Sequence, residues 1–208
     1  EDGIRDQPRS RGLGDVYKRQ SRDSIYNESG VWRFRELLNF AEIETEELEQ
    51  CSKFLVSLDG AEGRQSKPYH MSKVSNFVGI NNNSLMLQPE GYNPSGSFKD
   101  NGMASAVTHA KMTGAKKIIC ASTGNTSASA GMFAANENME CDVYIPDGQI
   151  APGKLSQAYQ FGTQMIKVNG NFDDAFTKSL DAANEKGSYT VNSVNPFRTV
   201  SYTHLRAH

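Results

Sequence analysis

The chain has 208 residues, of which 37% are hydrophobic and 22% are charged, and its formal net charge is -2. It is long enough to bury the core of one large domain, or of one domain and part of a second. A nearly neutral chain has no strongly basic surface for nucleic acid, and neither a membrane-spanning run nor a signal peptide pattern is present. Cys51, Cys120 and Cys141 lack the spacing of a zinc site or a disulfide framework. We therefore predict a cytoplasmic protein with no metal, nucleic-acid or membrane partner.

The two ends of the chain differ in composition from the middle. Residues 1–20 are rich in arginine and lack a periodic apolar pattern, which is typical of a disordered arm. The strings GLGDVYKRQ near the start and VSYTHLRAH at the end also resemble translated adapter sequence. We therefore predict that residues 1–20 and 200–208 are non-native or disordered tails, to be left out of the fold.

The segment after the first tail is predicted to be helical. Apolar residues recur from Trp32 onward and an acidic stretch follows them, which indicates two short amphipathic helices up to about Phe54. A stretch containing Gly, Ser, Lys and Pro at 59–69 predicts a loop. We assign residues 21–83 to an N-terminal helical segment.

From residue 84 onward, strand patterns alternate with helix patterns. The strands are predicted at 84–88, 116–121, 141–145, 164–168 and 189–193, and the helices at 98–112, 126–136, 153–161 and 173–184. This alternation is typical of βαβ units in a parallel sheet with helices on both faces. We therefore predict an α/β domain over residues 84–199, with about five parallel strands and a ligand crevice at their carboxyl ends.

The first loop expected at this crevice reads EGYNPSGSFKDNGM, residues 90–103. Turn-forming residues lead directly into a helix whose first turn contains Lys99. The positive end of the helix and partial burial both disfavour the charged ammonium form, which suits a lysine that forms Schiff bases. Taken alone, however, a lysine followed by Asp100 is more typical of a solvated surface pair.

The second loop reads ASTGNTSAS, residues 121–129, and lies where a buried strand ends and a helix begins. Taken alone, such Ser, Thr and Asn side chains are more typical of a segment that only caps the helix. With the free backbone N–H groups of the helix start, they can also bind an anion. Gly124 allows close approach of a ligand to the backbone. We expect Lys99 and Asn125 to lie together at the carboxyl ends of adjacent strands.

The two loops together resemble the threonine synthases, which are enzymes of pyridoxal-5′-phosphate (PLP) fold type II. NPSGSFKDNGM is similar to their lysine motif and ASTGNTSAS to their second signature. The similarity extends from VWRFRELL at 31–38 to NSVNPFR at 192–198. The resemblance implies PLP as cofactor and a β,γ-replacement that converts O-phosphohomoserine and water to threonine and phosphate. A homo-oligomer is compatible with it.

The resemblance also implies roles for individual residues. Lys99 would be the catalytic residue and would hold PLP as an internal aldimine, and Asn125 would contact the phenolic oxygen of the cofactor. The residues implied in substrate binding are polar members of the second and third loops: Ser122, Thr123, Asn125, Thr126, Asn192, Ser193 and Arg198. Those of the second loop would bind the substrate carboxylate. Those of the third loop would bind its phosphate, for which a guanidinium is well suited.

The sequence departs from the family pattern in two ways. Asn101 and Ser95 stand where Arg and Thr are more frequent. The later glycine-rich loop that holds the cofactor phosphate in the family has no counterpart in this chain, so we expect a fragment that is inactive alone. Two alternatives stay open: another fold type II enzyme, such as a serine/threonine dehydratase or a cysteine synthase, or an inactive truncated α/β module. NSVNPFR favours threonine synthase, since a dehydratase substrate carries no phosphate.

Overall fold

A computed structural model describes residue 31 and residues 69–81, 85–148 and 152–199. Both predicted tails and the predicted helices between Trp32 and Phe54 lie outside the described residues. Val31 is buried in the hydrophobic core, so at least this part of the N-terminal segment packs with the α/β domain.

The described elements alternate as the sequence predicts. The strands are β1 (Tyr69–His70), β2 (Met86–Leu87), β3 (Lys117–Ala121), β4 (Glu140–Pro146), β5 (Gln164–Val168) and β6 (Ser188–Thr190). The α-helices are α1 (Ser72–Val78), α2 (Lys99–Met112), α3 (Asn125–Asn136), α4 (Pro152–Gln160) and α5 (Phe172–Ala183), and a 3-10 turn covers Glu90–Tyr92. The four longer helices match the predicted ones to within one or two residues at each end.

The main sheet is parallel and, within the described residues, has four strands in the order β5-β4-β3-β6. Ile118 lies opposite both Cys141 of β4 and Tyr189 of β6, so β3 is paired on both sides. Its last four residues are all buried. Because successive side chains of a strand point to opposite faces, this burial shows that both faces of β3 are covered. The predicted α/β fold is confirmed.

One predicted strand has a different place. Met86–Leu87 forms the short β2, but it pairs antiparallel with Tyr69–His70 in a separate two-stranded sheet, so the prediction that it joins the parallel sheet is wrong. The side chains of β2 are exposed, whereas a strand inside a parallel sheet is buried on both faces. Its partner is formed by residue 69, the last of the predicted loop, and residue 70.

Helices α3 and α5 pack against the sheet, α3 on β3 and β4, and α5 on all four strands. Helix α2 packs on α3 and is buried over most of its length, which its small residues such as Gly102, Ala106 and Ala110 allow. It ends where predicted, with Gly114 in the left-handed conformation at φ 76°. The core therefore lies between the sheet and the helices that cover it.

Candidate active site

Lys99 is the first residue of α2, and its half-buried side chain places the amine 4.2 Å from the centroid of the Phe98 ring. The strand before it, β2, is outside the parallel sheet. The prediction that Lys99 follows a strand of that sheet adjacent to β3 is therefore wrong. The position of Lys99 is fixed by helix packing instead. Asp100, the next residue, accepts a hydrogen bond from Ser129 of α3, so the start of α2 lies beside the first turns of the helix that begins at Asn125.

The loop before Lys99 is held by its own polar groups. The Asn93 amide donates to Ser97 O at 3.0 Å and to Glu90 Oε2 at 2.8 Å. Gly96 adopts φ 79°, a left-handed conformation that favours glycine, and its N–H donates to Asn93 O at 2.7 Å. Ser97 Oγ accepts from the Lys99 N–H at 3.3 Å. The turn that presents Lys99 is therefore fixed before any ligand arrives.

Asp100 is fully buried, so Lys99 and Asp100 do not form the solvated surface pair that the two residues alone would suggest. Its carboxylate accepts from the Ser95 N–H at 2.7 Å, from the Ser95 hydroxyl, and from the Ser129 hydroxyl of α3 at 2.6 Å. Burial raises the pKa of this carboxyl, and the hydrogen bonds from the two serines oppose that rise. The backbone of Ser95 is also held from α4, where the Gln157 amide donates to Ser95 O at 2.9 Å.

The second loop leaves β3 and enters α3 within three residues. The Ser122 N–H donates to Tyr144 O at 3.2 Å, which extends the pairing with β4, and Ser122 Oγ accepts from Gly124 N at 3.1 Å. Thr123 is half-buried and Asn125 is exposed. Within the described part of the chain, the Asn125 amide makes no hydrogen bond. The amide and the first N–H groups of α3 are therefore available to a ligand.

The third loop reaches the second through Arg198. This side chain is 1% exposed, and its two terminal nitrogens donate to Val191 O at 2.7 Å and to Thr126 Oγ1 at 2.8 Å. Two of the residues predicted to bind substrate are thus in direct contact. The guanidinium itself is covered in this structure, so Thr126 is the part of this pair that lies nearer to the surface.

Asn192 holds the end of β3. Its Oδ1 accepts from the Ala121 N–H at 2.8 Å and its Nδ2 donates to Ser179 Oγ of α5 at 3.0 Å, while the side chain is 1% exposed. The neighbouring Ser193 is exposed. Of the three residues predicted to bind the substrate phosphate, the structure therefore places Ser193 at the surface and Asn192 and Arg198 beneath it.

Two buried cysteines lie in the sheet behind the crevice. Burial raises the pKa of the Cys120 thiol to about 12, and burial also raises the pKa of Cys141 well above its usual range. Both thiols are therefore neutral near pH 7 and pack as small apolar groups. The role of these two cysteines is therefore in packing.

Sequence reasoning missed the residues that hold the Lys99 loop, chiefly Asp100, Glu90 and Gln157. Glu90 Oε2 accepts from Asn101 at 3.1 Å as well as from Asn93, and Gln157 comes from a helix more than fifty residues away. Only tertiary packing brings Gln157 to Ser95. For Asp100 a signal was present, because an Asp in the first turn of a helix can turn back on the preceding loop.

Residues 65–205 match the family described as pyridoxal-phosphate dependent enzyme. The chain belongs to this family. The match includes the three crevice loops and the first residues of the stretch 200–208, so the predicted domain boundary at residue 199 stays a prediction. Since the family depends on PLP, the predicted cofactor is confirmed.

Two relatives of this PLP-dependent chain are named threonine synthase. The one from Bacillus sp. (strain ULM1) is 55% identical over 125 residues, which is 60% of this chain and 35% of the relative. The one from Methanocaldococcus jannaschii is 40% identical over 171 residues, which is 82% of this chain and 39% of the relative. The chain therefore spans well under half the length of the relatives that it matches.

A solved structure supports the fold. Diaminopropionate ammonia lyase from Escherichia coli, in complex with an aminoacrylate-PLP azomethine intermediate, superposes with a TM-score of 0.61. The superposition covers 76% of this chain and 47% of that protein at 15% sequence identity, so it bears on the fold alone.

The residues of the crevice fit PLP. The start of α2 offers the Lys99 amine for covalent attachment, and the start of α3 offers an amide and unpaired backbone N–H groups for polar atoms of the ring or of a bound acid.

Among the described residues, none of the helices combines the length and the apolar composition needed to span a membrane.

Proposed function

We propose that this chain is part of a threonine synthase, which converts O-phosphohomoserine and water to threonine and phosphate. Both relatives reported above carry that name, at 40% to 55% identity, and the family match over residues 65–205 includes the crevice loops. Lys99 would hold PLP, and Asn125 would contact the cofactor ring. The substrate would be bound by residues of the second and third loops: Ser122, Thr123, Asn125, Thr126, Asn192, Ser193 and Arg198.

The contact between Arg198 and Thr126 is the observation that carries this proposal. A substrate with both a carboxylate and a phosphate needs two anion sites beyond that of the cofactor, and they must be close together. The bond of 2.8 Å from Arg198 Nη2 to Thr126 Oγ1 joins the third loop to the helix start that would bind the carboxylate. A buried cation behind a helix N-terminus makes this corner of the crevice favourable for negative charge.

Each group at the site would have a separate role in the proposed reaction. PLP, when bound, supplies the electron sink for breaking bonds at the substrate carbon atoms. Lys99 Nζ, at the first turn of α2, would take a proton from the substrate and return one. The backbone N–H groups at the start of α3 would hold the carboxylate, and Asn125 would keep the cofactor ring in register with Lys99.

Arg198 would act on the substrate phosphate through Thr126 as well as by its charge. The resemblance assigns Thr126 to the carboxylate, but its bond with Arg198 favours a place for its hydroxyl at the phosphate. Thr126 Oγ1 accepts from the guanidinium, and its own hydrogen has no acceptor among the described residues. That hydrogen can therefore point out of the protein and be donated to a phosphate oxygen. Ser193, which is exposed on the third loop, would donate a second hydrogen bond to the phosphate.

The test uses the complete enzyme that contains this chain. Lys99→Ala should abolish both covalent PLP attachment, read by borohydride reduction and peptide mapping, and threonine formation. Thr126→Val should leave PLP attachment unchanged but lower kcat/KM for O-phosphohomoserine by roughly tenfold to a hundredfold, the usual cost of a lost charge-assisted hydrogen bond.

A matched control separates this effect from loss of a buried hydroxyl in general. Thr108 lies in α2 with its hydroxyl on Ala104 O, so Thr108→Val should leave kcat/KM unchanged. Equal turnover by Thr126→Val and the parent enzyme would refute the phosphate assignment. Formation of ammonia and a keto acid from L-threonine, without phosphate release from O-phosphohomoserine, would favour the dehydratase. That the enzyme forms a homo-oligomer stays a prediction, which light scattering can test.

A further inference from the structure

We propose that Asp100 is a positioning residue, whose buried carboxylate fixes the Lys99 amine relative to the loop that begins α3. The proposal rests on the proposed function in one respect, that Lys99 is the residue that holds PLP. It concerns a residue that makes no contact with the cofactor ring or the substrate in that scheme and acts only through its neighbours.

The carboxylate connects the two helix starts that form the crevice. One of its oxygens accepts from the Ser95 N–H at 2.7 Å, and the other accepts from the hydroxyls of Ser95 and Ser129. Ser95 precedes Lys99 in the loop, and Ser129 lies one turn after Asn125 in α3. A single group therefore fixes the backbone on the N-terminal side of Lys99 to the helix that carries Asn125.

The three donors explain why the group is an acid. A carboxylate only accepts hydrogen bonds, so it can satisfy two hydroxyls and one N–H at once. An amide of the same shape cannot do this, because its NH₂ must replace one oxygen. If its oxygen faces the rigid Ser95 N–H, both hydroxyls must turn round to accept from the NH₂. Burying a carboxyl group costs stability, so its presence at this fully buried position asks for a role that an apolar side chain would not fill.

The position of Lys99 is what this arrangement controls. The lysine side chain is long and flexible, so the place of its backbone decides which region the amine samples. Covalent capture of a cofactor requires its reacting atoms to meet at roughly 3–3.5 Å, and a shift of about 1 Å is costly. Asp100 is the next residue in the chain, and its bonds hold the first turn of α2 against α3.

The experiment uses the complete enzyme, freed of cofactor, and compares Ser129→Ala, Asp100→Asn and Ser105→Ala with the parent. Ser129→Ala removes only the bond between the carboxylate and α3. Ser105→Ala is the control, since it removes a fully buried serine hydroxyl from α2 that has no partner among the described residues. Circular dichroism confirms that each variant is folded. Two rates are measured: capture of PLP by Lys99, followed by borohydride trapping and peptide mapping, and acetylation of Lys99 by acetic anhydride across pH.

We expect PLP capture at Lys99 to fall on the order of tenfold in Ser129→Ala and by more in Asp100→Asn, with Ser105→Ala unchanged. The pH profile of Lys99 acetylation should shift in the first two variants, because the amine changes its surroundings. A purely structural role would lower only the urea concentration at which the variants unfold. Unchanged capture rates and unchanged pH profiles in folded Ser129→Ala would overturn the proposal, even if Asp100→Asn failed to fold.

The same experiment keeps the two proposals apart. If the parent enzyme is trapped with PLP on a lysine other than Lys99, the proposed function of Lys99 fails. If Lys99 is trapped in every protein at equal rates, the proposed function stands and the role of Asp100 fails. Capture at Lys99 that is slowed in Ser129→Ala, but not in Ser105→Ala, supports both.

Discussion

Replacing Asn192 tests how the third loop is tied to the sheet. Its amide makes two buried hydrogen bonds, one from the Ala121 N–H at the end of β3 and one to Ser179 Oγ of α5. Asn192→Ala leaves the Ala121 N–H buried without an acceptor. An unsatisfied buried group costs about 1–3 kcal/mol, and the lost bond to Ser179 adds about 1 kcal/mol. We therefore expect Asn192→Ala to lower the free energy of unfolding by roughly 2–4 kcal/mol.

Urea unfolding of the complete enzyme measures this change, since a lower midpoint with an unchanged slope reports stability alone. Ser179→Ala removes the bond from Asn192 and also the bond that Ser179 Oγ donates to Phe176 O, but it leaves the Ala121 N–H paired, so it should cost about 1–3 kcal/mol. Ser105→Ala should be neutral or slightly stabilising, because its buried hydroxyl has no partner within the described residues. The double variant of Asn192 and Ser179 should cost less than the two single variants together, because they share one bond.

The result that would refute this reasoning is an unfolding midpoint of Asn192→Ala equal to that of the parent. The Ala121 N–H would then have found water or another acceptor, and the end of β3 would not depend on the third loop. If stability falls as expected and kcat/KM falls in Asn192→Ala but not in Ser179→Ala, the amide serves the substrate site by holding Ala121 in place, because only Asn192→Ala removes the acceptor of the Ala121 N–H. An equal fall in both variants assigns the effect to the bond between Asn192 and Ser179.

Two further predictions concern stability. His109 Nδ1 lies 2.7 Å from the Tyr189 hydroxyl, and burial lowers the pKa of this histidine. The unfolded chain therefore takes up the proton first, so the free energy of unfolding should fall as the pH drops below about 6.5, and His109→Gln should reduce this slope in urea titrations. A Cβ at position 131 would lie 2.7 Å from Thr163 Cγ2, which is buried and bonded to Ala158 O. Gly131→Ala should thus destabilise by on the order of 1 kcal/mol, since overpacking outweighs the better helix propensity of alanine; an increase in stability would show that α3 and Thr163 can move apart.

The α/β fold could be predicted from the sequence because its signals are local. Apolar runs such as KIICA predict buried strands, and the helix ending at Gly114 is set by a residue that tolerates positive φ. The pairing of the strand at Met86 was predicted wrongly because it depends on a distant partner. Its partner is Tyr69–His70, and nothing in two short stretches specifies which edge each will pair with. Pairing at a distance is decided by what packs around it.

The crevice was predictable as a set of loops, but the roles within it depend on burial. Ligand-binding and loop-holding residues both have to be polar, and both lie at the carboxyl edge of the sheet, so residue type and position cannot separate them. Asn192 and Arg198 have the chemistry of anion ligands, yet their polar groups satisfy Ala121 N–H, Val191 O and Thr126 Oγ1.

Exposure gives the order in which these residues meet a ligand. Asn125 and Ser193 are exposed, Thr126 is nearly buried, and Arg198 and Asn192 lie below them. Replacing an exposed residue removes one contact with the ligand and leaves the crevice intact. A buried residue instead fixes the shape of the crevice, so its loss changes stability and substrate binding together. Variants of the exposed residues are therefore the sharper test of which atoms bind the substrate, and variants of the buried residues test why the loops that present those atoms stay in place.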